Sequence, residues 1–195
     1  METFILSEKS VSGHITYVCG ICDDGFAGEC ESLYKKAILN MDFSGMSSDY
    51  LIDIKLYKAI SEITPSHVFA LGIGVVVKNA VAEGGGIIGN PLFDGESADN
   101  GMDYINNGLW CIAFSGRFGV VVKSDKNKAE NIFESIKKFN DKDIQIAVES
   151  SVSYLHKNSD MFIMLSDGSG KNAYPFAACY DGKNLKKLNF DSDSF

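Results

Sequence analysis

Two pairs of helix-forming stretches interrupt a chain otherwise made of strand-like runs, and this order most constrains what the sequence can fold into. The first pair is "ESLYKKAILN" followed by "SSDYLIDIKLYKAISEI". In the longer stretch Ser47 or Ser48 serves as N-cap and Asp49 sits in the first turn. Ile52, Leu56, Ala59, Ile60 and Ile63 then recur at helical spacing until Thr64-Pro65 ends the run. Leu51, Ile54 and Tyr57 widen that stripe, which predicts a helix buried on most sides. In the second pair, Ser124 or Asp125 caps a helix carrying Ala129, Ile132, Phe133, Ile136 and Phe139 on one face. Asp141 caps the next, which carries Ile144, Val148, Val152 and Leu155.

Strand signals surround these pairs. "HITYVCGIC" alternates, and Asp23-Asp24-Gly25 predicts a hairpin turn from it into "FAGEC". "HVFALGIGVVV", a turn at Lys78-Asn79, "AVAEGGGIIG", "LWCIAF" and "GVVVK" fill the middle; "MFIMLS", "AYPFAACY" and "LKKLNF" close the chain. Residues 89–108, dense in turn formers, read as a long surface loop within one globular domain spanning 1–195. Single strands alternating with single helices would build a parallel doubly wound sheet, whereas hairpins separated by helix pairs do not. The expected class is α+β. Two stacked antiparallel sheets with a helix pair on each outer side, a four-layer αββα arrangement, would bury every apolar face. The alternative is a single mixed sheet with helices on both faces.

Composition narrows the partners. The chain has 195 residues, is 45% hydrophobic and carries a formal charge of −8. That balance suits a packed globular protein and disfavours nucleic acid or an anionic membrane as partner. No apolar run approaches the roughly 20 residues of a membrane span. "METFILSEKS" lacks a secretory pattern and the five cysteines are odd in number, so the expected location is cytoplasmic. Cys111 and Cys179 sit in apolar runs and read as buried thiols.

The chemistry-bearing stretch is "HITYVCGICDDGFAGEC". Cys19 and Cys22 have redox spacing, but within a strand rather than at a helix N-terminus. Cys19, Cys22, Cys30 and His14 are zinc-ligand types without a second paired knuckle. The glycine-rich runs match no phosphate-loop pattern, so no cofactor is expected. His14, His67 and His156 are too scattered for a histidine-based triad. What remains is a Thr, Ser or Cys that uses its own liberated α-amino group as base, an arrangement that needs only a lysine, an acid and oxyanion donors beside it.

These residues resemble the proteasome-like peptidases of the N-terminal-nucleophile (Ntn) hydrolase superfamily. "TYVCGICDDGFAGECES" is similar to the family's first hairpin and maps Thr16 as nucleophile, Gly25 as its turn and Glu29 as its acid. Lys35 or Lys36 stands where the family places a lysine. Gly45 and Asp49 resemble its Gly-x-x-x-Asp helix start, "IAFSGRFG" maps Ser115, and "SDGSG" maps Asp167 and Ser169; Asp181-Gly182 matches a common hairpin turn. Cys19, in "CGI", is the alternative nucleophile, as in the glutamine amidotransferase branch. The resemblance implies a threonine-type amide or peptide hydrolase assembled into a ring or dimer. An uncut chain has no free amine at Thr16, which equally admits an inactive relative serving as a binding or assembly protein, and a zinc- or thiol-dependent protein using residues 14–30 is the further alternative.

Overall fold

The computed structural model describes residues 1–46, 49–76, 83–89, 102–105, 110–115, 118–166 and 176–189. In chain order the elements are β1 (Glu2–Lys9), β2 (Ile15–Cys22), α1 (Ala27–Leu39), α2 (Asp49–Ile63), β3 (Val68–Val76), β4 (Glu83–Gly89) and β5 (Met102–Ile105). There follow β6 (Trp110–Ser115), β7 (Phe118–Lys123), α3 (Lys126–Lys137), α4 (Ile144–Asn158), β8 (Met161–Ser166), β9 (Phe176–Tyr180) and β10 (Leu185–Asn189). The protein is α+β, with two antiparallel sheets in place of a single mixed one. The first has the order β1-β2-β3-β4 and the second β10-β9-β8-β7-β6-β5.

The helix pairs follow from this topology. β2 and β3 are antiparallel neighbours, as are β7 and β8, and each couple is joined through two helices. One helix would deliver the chain to the opposite end of the sheet and produce a parallel neighbour. Two helices, out and back, return it to the end it left.

Three apolar clusters hold the layers. Cys30, Tyr34 and Ile38 of α1 and Leu56 and Ile60 of α2 pack on Phe4, Val18, Leu71 and Ile73 of the first sheet. Tyr17, Cys19, Ile21 and Ala70, from the opposite face of that sheet, meet Val121, Ile163, Leu165, Ala177 and Cys179 of the second. On the far face of the second sheet, Val120, Val122, Phe162 and Met164 pack against Ala129, Ile132 and Ile136 of α3 and Val148, Val152 and Leu155 of α4. Strand alternation explains how neighbours such as Tyr17 and Val18 serve different clusters. Gly20 admits the close packing on the helix side: a Cβ there would collide with the ring of Phe4, its cross-strand partner.

Several expectations are corrected. The turn at 23–25 leads into α1 and not into a second strand, because Cys30, Tyr34 and Ile38 continue a helical stripe upstream into "FAGEC". The hairpin partner of β2 is β1, an unexpected strand within "METFILSEKS". α2 is not buried on most sides, since Ile54 and Tyr57 are exposed. Asp143, and not Asp141, caps α4 by accepting the Gln145 amide at 3.0 Å. The amide of Lys142 is tied back to the Phe139 carbonyl, so Asp141 belongs to the turn that follows α3. Asp125 caps α3, accepting the Lys128 amide at 3.0 Å. The segment 89–108, expected to be a loop throughout, contains β5; its remaining residues beyond Gly89 and the turn at Lys78-Asn79 lie outside the described residues.

Candidate functional site

Thr16 lies in β2 between two strands, opposite Glu8 of β1 and Val75 of β3. Its residue exposure is 0%, and its Oγ1 has no hydrogen-bond partner. Val18 and Cys22, an even number of residues away, pack toward the helices, so Thr16 faces α1 and α2 and not the space between the sheets. The Glu8 carboxylate, directly across from it, meets Lys35 Nζ of α1 at 2.6 Å. The fold therefore brings Thr16, Glu8 and Lys35 to one face.

The other predicted residues do not join them. Glu29 is exposed in the first turn of α1, about 9 Å along the helix axis from Lys35 at 1.5 Å per residue. It does not stand on the second strand of a hairpin as the resemblance implies. Lys36 is exposed in the last turn, where its carbonyl accepts Asn40 Nδ2 at 2.7 Å. Ser115 ends β6 in the second sheet, so the first sheet separates it from the helix-facing side of Thr16. Asp167 and Ser169 lie outside the described residues.

Beside this face the turn from β1 to β2 carries a polar network that the sequence reading missed. Ser12 Oγ stands 2.8 Å from His14 Nδ1 and 3.1 Å from Ser10 Oγ, and it accepts the Phe43 amide at 3.0 Å. Ser10 Oγ in turn accepts the His14 amide at 3.1 Å. With the imidazole proton assigned to Nε2, Ser10 donates to Ser12 and Ser12 donates to His14. Both acceptor positions of Ser12 are then filled, by Phe43 and Ser10. The Ser–His contact is a nucleophile–base distance, but its oxygen is spent on clasping the turn to the loop after α1. Asp42, next in that loop, is held below the usual carboxylate range by the hydroxyl and amide of Ser44, with Lys55 adding to the effect. The signal available in the sequence was the alternation Ser10, Ser12, His14 ahead of a strand.

The cysteines divide by strand parity. Cys19 faces the second sheet, whereas Cys22 faces α1 beside Cys30. The Cys19–Cys22 pair therefore straddles the sheet and cannot act as one redox or metal-binding unit. Burial pushes the Cys19 thiol well up, with Cys179 adding to the shift. It also lifts Cys22 and Cys179 to about 12. Cys19 is thus a protonated, fully buried thiol, contrary to the needs of a nucleophile. His14, engaged with Ser12, is not placed with the thiols; His67 is, its Nε2 lying 3.7 Å from Cys30 Sγ. Among the described residues no group of three or more His, Cys, Asp or Glu is arranged to hold a metal ion.

No family model, curated protein or solved structure matches this chain.

The site's chemistry must therefore be judged on its own geometry. The Thr16 hydroxyl is fully buried on the helix-facing side of the first sheet, so it cannot receive a substrate carbonyl unless the helix layer over that face moves away.

Proposed function

We propose that this chain is a non-catalytic binding or assembly protein, a single cytoplasmic domain on a four-layer αββα scaffold of the Ntn type, in which Thr16 has no catalytic use. The carrying observation is the residue-by-residue pairing of Glu2–Lys9 with Ile15–Cys22, which sets the bond before Thr16 inside the sheet. Self-cleavage there would cut the connection between two paired strands and leave β1 held by hydrogen bonds and side-chain packing alone. The arrangement of three stacked apolar clusters supports the scaffold. No helix among the described residues is long and apolar enough to cross a membrane. With a net charge of −8, a polypeptide partner, another copy of the chain included, suits the surface better than nucleic acid.

The intact mass of the purified protein tests the reading. We expect the full-length chain, no turnover of peptide or amide substrates, and an unchanged biological role in Thr16→Ala. Loss of the first 15 residues, or hydrolysis that disappears in Thr16→Ala while the fold persists, would restore the hydrolase reading. That reading draws its support from Lys35 standing across Glu8 from Thr16.

A further inference from the structure

We propose that the outer face of α1 pairs with the same face of a second copy of the chain, the two helices running antiparallel about a two-fold axis between Ser32 and Leu33. The pairing supplies a partner for the assembly reading above and rests on that reading for its biological use alone. Cys30, Tyr34 and Ile38 turn one side of α1 to the core. The opposite side exposes Glu29, Ser32, Lys36 and Leu39, with Leu33 half-buried beside them.

This helix carries four charged side chains, and two are engaged within the chain. Glu31 meets Lys186 Nζ at 3.5 Å, and Lys35 meets Glu8 at 2.6 Å. Glu29 and Lys36 have no ion-pair partner among the described residues. They are seven residues apart, two helical turns, which puts both on the outer side about 10 Å from each other. Opposite charges so spaced on one face are self-complementary under an antiparallel two-fold. Glu29 of each copy meets Lys36 of the other, and the contact is made twice. Parallel pairing about a two-fold would instead set Glu29 against Glu29.

Apolar surface lies at both ends of the same helix. Phe26, just before α1, is 37% exposed and Leu39, its last residue, 43%. Phe26 is held in place by stacking on His67, with ring centroids 4.2 Å apart, so it is ordered before a partner arrives. At 13 residues α1 is about 20 Å long, a shorter face than permanent dimers use, so the dimer should dissociate on dilution. The net charge of −8 on each copy opposes association, which leaves the local match to decide it.

Sedimentation equilibrium of the full-length chain should show a reversible monomer–dimer exchange with a Kd between about 1 μM and 1 mM. In that dimer a zero-length carbodiimide cross-link should join Glu29 of one copy to Lys36 of a second, isotopically labelled copy. Glu29→Lys and Lys36→Glu should each weaken the dimer about tenfold or more by opposing like charges. Glu29→Lys also makes the chain less acidic, so overall repulsion cannot account for its loss. Mixed together, the two variants should dimerise with each other, because each supplies the charge the other lacks. A chain that stays monomeric up to about 1 mM, a dimer without the Glu29–Lys36 link, or folded variants that do not associate on mixing would each overturn the proposal. The cross-link is read on the wild type and decides the matter even if a variant does not fold. A monomer without hydrolysis would overturn the pairing and leave the non-catalytic reading standing; a dimer that hydrolyses peptides would do the reverse.

Discussion

The amide of Thr3 donates to Asp181 Oδ2 at 3.2 Å, joining the first strand of the chain to the last hairpin turn across 178 residues. The same carboxylate accepts the amides of Lys183 and Asn184 at 2.8 and 2.7 Å. One buried side chain thus closes the β9–β10 turn and fastens the edge of the first sheet to the second.

Asp181→Ala should therefore destabilise the protein by about 2–3 kcal/mol, the range for losing hydrogen bonds to a charged acceptor. Burial pushes the Asp181 carboxyl up, but the amides of Asn184, Lys183 and Thr3 outweigh it and hold the group below its ordinary value. A carboxylate lowered in the folded state adds stability above its unfolded value, near 4, and that stability is lost as pH falls through the folded value. Urea unfolding of the wild type against Asp181→Asn should show a constant gap near neutrality that narrows below about pH 4.

Thr16→Val should leave stability unchanged or raise it by about 1 kcal/mol. The hydroxyl is buried without a partner, and valine keeps its shape and suits a central strand. Urea unfolding decides it: a loss of more than about 1 kcal/mol, the net worth of an ordinary hydrogen bond, would mean that the hydroxyl is paired.

Gly20→Ala should cost about 1–3 kcal/mol by overpacking against Phe4. Phe4 cannot easily yield, because its ring is stacked on Tyr34 at 5.5 Å. Combining Gly20→Ala with Phe4→Leu should cost less than the sum of the single changes; strict additivity in thermal or urea melts would refute the contact.

Ser12→Ala should lower stability by about 1–3 kcal/mol by leaving the Phe43 amide without its acceptor. Amide exchange at Phe43 should quicken in the same variant. Unchanged exchange at Phe43 would show that Ser12 does not clasp the loop.

Ile54→Ser and Tyr57→Ser should each change stability by no more than about 0.5 kcal/mol, because both side chains project from α2 into solvent. Leu56→Ala, between these two positions but buried in the first cluster, should cost about 2–5 kcal/mol. Equal losses in all three would restore the expectation of a helix buried on most sides.

The repeating patterns were readable. Residues 161–166 read as a strand and form one, and Ala129, Ile132, Phe133 and Ile136 mark the buried face of α3 as their spacing predicts. The separation of Cys19 from Cys22 was also legible, since residues three apart in a strand face opposite sides. The path of "FAGEC" was not, because a turn at Asp23-Asp24-Gly25 serves a strand or a helix equally well. Packing of Cys30 and Tyr34 against Phe4 settled it. The Ser12–Phe43 clasp was equally hidden, since its partners are 31 residues apart.

By itself the sequence determined periodicity: which stretches repeat every two or every 3.6 residues, and that two helices separate strands that must then run antiparallel. Those properties are local, fixed by backbone geometry and by the side of each element that is apolar. The tertiary structure decided the partners: β1 rather than "FAGEC" beside β2, Thr16 turned toward the helices, and Asp181 reaching Thr3. These depend on surfaces far apart along the chain that find one another only when all layers close over shared cores.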